Sequence, residues 1–280
     1  TRSARPSRST TKRSPGTAPS SDLVSDGRTR LFGNPQLDLF GRAIEEPQLD
    51  LEALGALAAR LPKALRFGTS SWTFPGWAGI VYRERYRNEK AFVRESLREY
   101  ARHPLLRTVG IDRSFYGPLT AKDYLHYASL LPAEFQCVQK VWSAISTRVF
   151  ASGDARGRVN PSFLDLNLLD SVLRPLRETQ FEPHQGPMLV CVPPAPGPVN
   201  ADGFARVVAR FLQGAPRDFT FGFELRDVRL LSPQYADALG AHGGVHVFNY
   251  WERMPHLAEQ RARIGVLPGP LVVRLMIPPG

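Results

Sequence analysis

The sequence predicts an α/β fold built on a mostly parallel β-sheet, and three observations support this prediction. The chain has 280 residues, of which 42% are hydrophobic, enough for one large buried core. After position 65, short apolar segments alternate with amphipathic helical segments. The chain also contains 25 prolines and 23 glycines, which is typical of a fold with many turns and untypical of a helical bundle.

The first predicted element is a helix over residues 49–61, where leucines recur close to helical spacing. Seven strands follow, and a helical stretch separates each strand from the next. The strands are predicted over 66–71, 106–111, 135–140, 187–192, 219–224, 244–248 and 271–276. The helices between them are predicted over 89–103, 120–131, 162–177, 201–212, 233–242 and 256–263, and Thr120 is predicted to cap its helix.

The order of these elements leaves two architectures open. Short, mostly apolar strands joined by helical crossovers form either an open doubly wound sheet or a closed barrel. No glycine-rich G-x-G-x-x-G follows any strand, which disfavours a dinucleotide-binding fold. A closed (β/α) barrel needs one strand more than the seven seen before Gly280, so we expect the eighth strand to be truncated.

The net charge of +10 is concentrated near the start of the chain. Residues 1–30 contain seven basic and two acidic side chains among many Ser, Thr and Pro. This composition predicts a disordered tail over 1–45, followed by a helical segment over 46–64 and a barrel domain over 65–280. The tail fits a solvated extension, a transit peptide or an arm that tracks nucleic-acid phosphates.

Cysteine usage and motifs limit the compartment and the chemistry. Cys137 and Cys191 are too few for a disulfide framework or a four-cysteine zinc site, so we expect a cytoplasmic protein. No apolar run is long enough to span a membrane. The sequence has no H-E-x-x-H, paired C-x-x-C or G-x-S-x-G motif, and it indicates neither a cofactor nor an oligomeric state.

Charged residues follow the carboxyl ends of several predicted strands. In parallel α/β folds these ends meet at one face. Alternate side chains of a strand point the same way, so those that point inward should converge there. The residues predicted to point inward are Asp112, Lys140, Glu224, Arg226 and Arg274.

This predicted cluster supplies both proton-transfer and anion-binding chemistry. Glu224 is the predicted acid or base, with Asp112 as partner carboxylate and Lys140 in the same catalytic group. Arg226 and Arg274, with Lys140, are predicted to hold an anionic group such as phosphate or carboxylate. The alternative is a structural network in which Glu224 pairs with Arg226 and Asp112 with Lys140. The two carboxylates could hold Mg²⁺ or Mn²⁺, although the nearby cations argue against a metal site.

Aromatic and hydroxyl side chains surround the same predicted face. Ser70 and Trp72 lie in the motif GTSSWTFPGW after the first strand, and Tyr116 follows the second. We predict that Ser70 binds the ligand and that Trp72 and Tyr116 form an apolar wall, with core packing as the alternative fate of the aromatic rings. His246 is predicted to lie in the interior, and both cysteines are predicted to be inert apolar residues.

Several motifs together resemble the YecE-like family, domain of unknown function 72. They are GTSSW at 68–72, PGW at 75–77, Tyr82, TVGIDRSFY at 108–116, VPP at 192–194, FELR at 223–226 and VRL at 273–275. The resemblance spans about residues 65–280 and implies a TIM-barrel-like fold, which favours the closed ring. It also implies a final strand beyond Gly280. It implies no particular activity, because the function of the family is unassigned.

The chain departs from the usual pattern of that family at several positions. The second strand of that family usually reads Val-Glu-Ile-Asn, and here Gly110 replaces the Glu and Asp112 replaces the Asn. Lys140 is retained, but no histidine follows it over 143–148. Cys191 replaces a usual Gln, and Met276 a usual His. Chemistry that requires the missing Glu, Gln or His is therefore not predicted here.

The leading functional hypothesis is an enzyme-like barrel that binds a small anionic or carbohydrate-like ligand at the carboxyl ends of its strands. The alternative is a non-catalytic module that binds nucleic acid or protein through its basic tail. Deleting residues 1–30 distinguishes them, because only the second predicts a loss of salt-dependent binding. A third hypothesis makes the clustered charges purely structural.

Overall fold

The structure is a computed structural model that describes residues 50–150 and 154–276. The predicted tail over 1–45 and the first residues of the segment 46–64 lie outside the described residues. None of the described helices is both long and apolar enough to cross a membrane.

Within the described residues, seven parallel strands form one sheet that curves into a half-barrel. Each strand pairs with the next one along the chain. The strands are β1 (Phe67–Thr69), β2 (Leu106–Ile111), β3 (Gln136–Lys140), β4 (Gln185–Val192), β5 (Phe221–Leu225), β6 (Val245–Tyr250) and β7 (Val272–Leu275). This arrangement confirms the predicted α/β fold with seven parallel strands.

Helices precede β1 and connect the strands. They are α1 (Leu51–Arg60), α2 (Glu89–Tyr100), α3 (Ala121–Ala128), α4 (Ser143–Ser146), α5 (Leu166–Glu178), α6 (Ala201–Gly214), α7 (Pro233–His242) and α8 (Leu257–Ile264). The short helix α4 is not among the predicted elements. Its four residues are too few to show a helical period in the sequence.

Side-chain caps fix where the helices begin. Thr120 accepts a hydrogen bond from the Asp123 amide, and the Asp123 carboxylate accepts one from the Thr120 amide, which forms a capping box as the predicted cap requires. Asp50 caps the start of α1 with its side chain alone, with 2.9 Å between its Oδ1 and the Ala53 nitrogen. These caps satisfy amide groups that have no partner inside the helix.

Prolines explain why two helices end earlier than predicted. Helix α2 ends at Tyr100 rather than at residue 103, and α3 ends at Ala128 rather than at residue 131. Residues 103 and 131 each directly precede a proline. The proline ring disfavours helical backbone at the preceding residue, so neither helix continues to these positions.

Both faces of the sheet are buried along most of β4, β5 and β6, as the mostly apolar strands predict, whereas β1 and β7 are partly exposed. On β4, Met188, Val190 and Val192 belong to the large core shared with the helices. Leu189 and Cys191 belong instead to a smaller cluster with Val247 on the opposite, concave face. Because alternate residues of a strand point to opposite faces, the parity of a residue decides which of these environments it enters.

Strands β1 and β2 approach each other so closely that only glycine fits at two positions. A β-carbon on Gly110 would overlap the carbonyl oxygen of Ser70, and a β-carbon on Gly68 would overlap that of Thr108. This close approach holds Ser70 against the end of β2.

Candidate functional site

Glu224 lies at the centre of the candidate site. It is on β5 and opposite Cys191 of β4, and its side chain is 0% exposed. Arg226, just after β5, donates a hydrogen bond from Nε to Glu224 Oε1 over 3.0 Å. Arg274 on β7 donates to the other carboxylate oxygen. The carboxylate is therefore held between two guanidinium groups.

Arg274 extends this cluster to the first strand. Its Nη2 donates to Oγ of Ser70 over 3.1 Å, while its Nη1 contacts Glu224. Arg274 pairs in register with Asn249 of β6, which is completely buried. The Nδ2 group of Asn249 donates to the carbonyl of Leu225 over 2.7 Å, and its Oδ1 accepts no hydrogen bond from the described residues.

A second ion pair joins Lys140 and Asp112, with 2.9 Å between Nζ and Oδ1. Lys140 is the last residue of β3. Asp112 opens a 3₁₀ turn, Asp112–Phe115, directly after β2 rather than continuing the strand. Ser114 fixes this turn against β3, because its hydroxyl lies 2.6 Å from the Lys140 carbonyl oxygen. The Asp112 side chain stays 35% exposed and that of Lys140 15% exposed.

The electrostatic field of the site keeps Glu224 ionised. Burial raises the pKa of Glu224, but the charges and hydrogen bonds of Arg274 and Arg226 outweigh this effect and hold the pKa below its ordinary value. Burial lowers the pKa of Arg274, but negative groups led by Glu224, with Asp112 among them, raise it above its ordinary value. Both members of this pair therefore stay charged at neutral pH.

Cys191 lies within the same field as an un-ionised thiol. Its sulfur is 3.5 Å from Oε2 of Glu224. Burial raises the pKa of the thiol to about 12, and the charge of Glu224 acts in the same direction. The cations that lower this pKa in part are Arg274, Lys140 and Arg226. A thiol with so high a pKa is a poor nucleophile, in keeping with the predicted inert role.

The five charged residues predicted to converge thus lie in two linked groups at the carboxyl ends of the strands. Glu224, Arg226 and Arg274 form one group, and Lys140 and Asp112 form the other. The two groups interact electrostatically: the charge of Lys140 partly offsets the raised pKa of Cys191, and the charge of Asp112 helps to raise the pKa of Arg274. Ser70 joins them through Arg274. Both ion pairs of the structural alternative are present: Glu224 with Arg226, and Asp112 with Lys140.

The two predicted wall aromatics lie in different environments. Trp72 is only 5% exposed and packs edge-on against Tyr127 of α3, with 5.3 Å between the ring centroids. Tyr116 is 81% exposed and contacts Phe115. Trp72 therefore belongs to the helix-side core, whereas Tyr116 offers a free ring beside the turn that carries Asp112.

His246 is interior, as predicted. It is 1% exposed, and its ring nitrogens contact the Tyr235 hydroxyl over 3.2 Å and Oε1 of Gln260 over 3.3 Å. Burial lowers the pKa of His246 to about 4, although the contact with Gln260 acts in the opposite direction. The side chains of His246 and Asn249 point to opposite faces of β6, and that of His246 lies among aromatic rings of the core.

A cavity of about 470 Å³ beside Arg226 was not predicted from the sequence. We call it the arginine cleft, because four arginines line it: Arg156, Arg226, Arg229 and Arg253. Arg226 and Arg229 follow β5, and Arg253 follows β6. Residues after the carboxyl ends of parallel strands meet at one face of the sheet, so the same sequence signal could have indicated these arginines. Arg226 also covers the ring of Trp251, with 4.5 Å between the guanidinium carbon and the ring centroid.

The family model for the protein of unknown function DUF72 matches residues 66–276 of this sequence. The chain belongs to the DUF72 family. The resemblance to the YecE-like family noted from the motifs is thereby confirmed. No curated protein matches the sequence.

Solved structures of other DUF72 family proteins are similar to this one. A DUF72 family protein from Enterococcus faecalis is 16% identical, with a TM-score of 0.48, over 75% of this chain and 72% of that chain. One from Thermotoga maritima is 17% identical, with a TM-score of 0.49, over 68% of this chain and 67% of that chain.

Metal ligands do not cluster in the described part of this DUF72 protein. Across residues 50–150 and 154–276, no three His, Cys, Asp or Glu side chains are placed to hold a metal ion together. The two carboxylates of the site, Asp112 and Glu224, are each paired with a cation. The arrangement is suited to holding an anion between cations rather than a cation between carboxylates.

Proposed function

We propose that this DUF72 protein is an enzyme-like barrel protein that binds a small anionic ligand at the carboxyl ends of its strands. The observation that carries the proposal is the linked cluster of three cations and two carboxylates. Two cations suffice to balance the carboxylates, which leaves one positive charge for a ligand. A phosphate or carboxylate group compensates that charge with strong, charge-assisted hydrogen bonds.

The roles within the cluster follow from exposure and charge. Glu224 is inaccessible and held ionised by two guanidiniums, so its main role in the proposal is to position Arg226 and Arg274. Asp112 is the more accessible acid–base candidate, since its side chain is 35% exposed and adjoins Lys140. Lys140 binds the anion and orients Asp112.

The ligand surface favours an anion over a neutral carbohydrate. Sugar-binding sites commonly present an accessible aromatic face on which the sugar ring stacks. Trp72 is buried against Tyr127, and Arg226 covers Trp251, so neither indole is open in this way. Tyr116 remains the one exposed ring of the predicted wall, and we propose it as a flank of the site rather than its floor.

The proposal includes a TIM-barrel-like architecture and a cytoplasmic location. The contact between Arg274 on β7 and Ser70 after β1 brings the first and last described strands near each other at their carboxyl ends, which supports a barrel-like curvature. Cys137 and Cys191 are both free thiols, which suits a reducing compartment.

Thermal unfolding followed by tryptophan fluorescence tests the proposed function. Phosphate, succinate and neutral glucose are added to the full chain at constant ionic strength. We expect phosphate or succinate to raise the Tm of the wild type, because a ligand that binds the folded state alone stabilises it. Glucose should leave the Tm unchanged, and stabilisation by glucose alone would favour the carbohydrate hypothesis instead.

Variants locate the binding. Lys140→Gln and Arg226→Ala should lose the shift with succinate, whereas Arg174→Gln should keep it, because Arg174 lies on the exposed face of α5 and pairs with Asp170. Circular dichroism checks that each variant is folded. The proposal fails if no anion shifts the wild type, or if Lys140→Gln and Arg226→Ala respond to succinate as the wild type does.

A further inference from the structure

The arginine cleft lies over the carboxyl ends of β4 and β5, beside the site described above. Its walls are the apolar segment 194–196, Val228 and charged side chains. Asp227 is the only carboxylate among its lining residues in the described part of the chain, against four arginines. The cleft therefore has a strong excess of positive charge.

Arg229 neutralises the one negative charge among the described lining residues, that of Asp227. Its Nε and Nη2 donate to the two carboxylate oxygens of Asp227, each over 2.8 Å. The same guanidinium also donates to the carbonyls of Gly197 over 2.9 Å and Ala195 over 2.8 Å. Arg229 and Asp227 thus form a neutral, bidentate pair that anchors the loop after β4 and contributes no net charge to the cleft.

The other three guanidiniums keep free donors. Arg156 and Arg253 are exposed and make no hydrogen bond or ion pair with the described residues. Arg226 uses its Nε for Glu224, and its two terminal nitrogens have no acceptor within the described part of the chain. Like charges that surround one cavity repel, so the arrangement favours an anion between them.

Arg148, next to the cleft, adds an independent observation. The charges of Asp227 and Arg229 act on this guanidinium, and burial is the main cause that lowers its pKa. Its Nε and Nη2 are shielded from solvent and find no hydrogen-bond acceptor among the described residues. Buried N–H groups are nearly always hydrogen-bonded, so this unpaired guanidinium, which is not among the residues that line the cleft, adds to the positive charge around it.

We propose that the arginine cleft binds a phosphorylated small molecule through a terminal phosphate or diphosphate. The planar fork of a guanidinium matches the oxygens of phosphate, and a group with two or more negative charges balances Arg156 and Arg253 better than a single carboxylate does. Arg226, whose charge is paired with Glu224, contributes its free terminal N–H groups. The volume of about 470 Å³ is that of a small-molecule pocket. The inference rests on the proposed function only through Arg226, which borders both sites.

Isothermal titration calorimetry of the full chain with inorganic pyrophosphate, at fixed ionic strength, tests this inference. We expect saturable binding to the wild type. The double variant Arg156→Ala/Arg253→Ala should weaken it at least about tenfold, because two charge-assisted contacts are lost. Arg253→Lys should retain part of the affinity, since Lys keeps the charge without the fork. Arg174→Ala, which removes an exposed arginine elsewhere, should bind as the wild type does.

The outcomes separate this inference from the proposed function. If the arginine cleft binds the phosphate groups, Lys140→Gln still binds pyrophosphate even where it has lost the response to succinate. If only the central site binds anions, Lys140→Gln loses pyrophosphate binding while the double variant keeps it, and the inference is overturned. Absence of saturable binding to the wild type also overturns it, as does equal weakening in Arg174→Ala.

Discussion

Arg274 on β7 donates a hydrogen bond to Ser70, which lies 204 positions earlier in the chain, with 3.1 Å between Nη2 and Oγ. The other terminal nitrogen of Arg274 donates to Glu224 on β5. One side chain thus links the carboxyl ends of three strands that do not pair with one another. The candidate site is held by contacts between distant segments rather than by any local motif.

Replacing Glu224 with Gln should destabilise the protein strongly. The substitution leaves two largely buried guanidiniums without the charge that balances them. We expect the free energy of unfolding, measured with urea, to fall by about 3 kcal/mol. Glu259→Gln is the matched control, because it removes a carboxylate from the exposed pair with Arg263. Similar losses in both variants would contradict a structural role for the Glu224 pairs.

The lowered pKa of Glu224 makes stability depend on acid pH. As the pH falls, the unfolded chain takes up a proton at this residue before the native protein does. The stabilisation is therefore complete above the ordinary carboxyl pKa of about 4.3 and is lost as the pH falls through the lower native pKa. Urea unfolding between about pH 6 and pH 3 should show a steeper loss in the wild type than in Glu224→Gln. Parallel curves would rule out this linkage.

His246 should produce a second pH dependence at a higher pH. Its native pKa of about 4 lies below the ordinary value of 6.5, so only the unfolded chain binds a proton between these values. Stability should decrease as the pH falls from about 6.5 to about 4. His246→Gln should lack this part of the profile, whereas His242→Gln, at the end of α7, should keep it. A wild-type profile that is flat over this range would refute the prediction.

Gly110→Ala should damage the junction of β1 and β2. The added methyl group would overlap the carbonyl oxygen of Ser70, and backbone cannot move aside as a flexible side chain can. We expect a loss of about 1–3 kcal/mol in the free energy of unfolding. Gly117→Ala serves as the control, because a β-carbon there meets no atom within 4 Å. Equal stability of the two variants would show that the strands can separate without cost.

Most of the fold could be predicted from the sequence because its signals are local. Each strand is a short apolar run, and each crossover has helical periodicity or a visible cap such as Thr120. Strand β2 and helix α7 have the predicted bounds. The main differences are at helix ends before prolines, at the start of α5, which begins at Leu166 rather than at residue 162, and at α4, which is too short to show a period.

The candidate site could be predicted only in part. Alternation along the strands identified Glu224 and Arg274, because inward parity is a local property. The contact of Cys191 with Glu224 depends on the register between β4 and β5, which parity alone does not specify. Arg148 and Arg156 lie in loops, which have no period, so their place beside the arginine cleft depends on the path of the folded chain.

The contact between Ser70 and Arg274 also has a consequence for biosynthesis. A growing polypeptide can form its caps and helices as they emerge from the ribosome, because those interactions span only a few residues. The cluster around Glu224 includes Arg274 from near one end of the described chain and, through Arg274, Ser70 from near the other. Incomplete chains should therefore carry most of the secondary structure and yet have no finished binding centre until β7 has been translated and has docked.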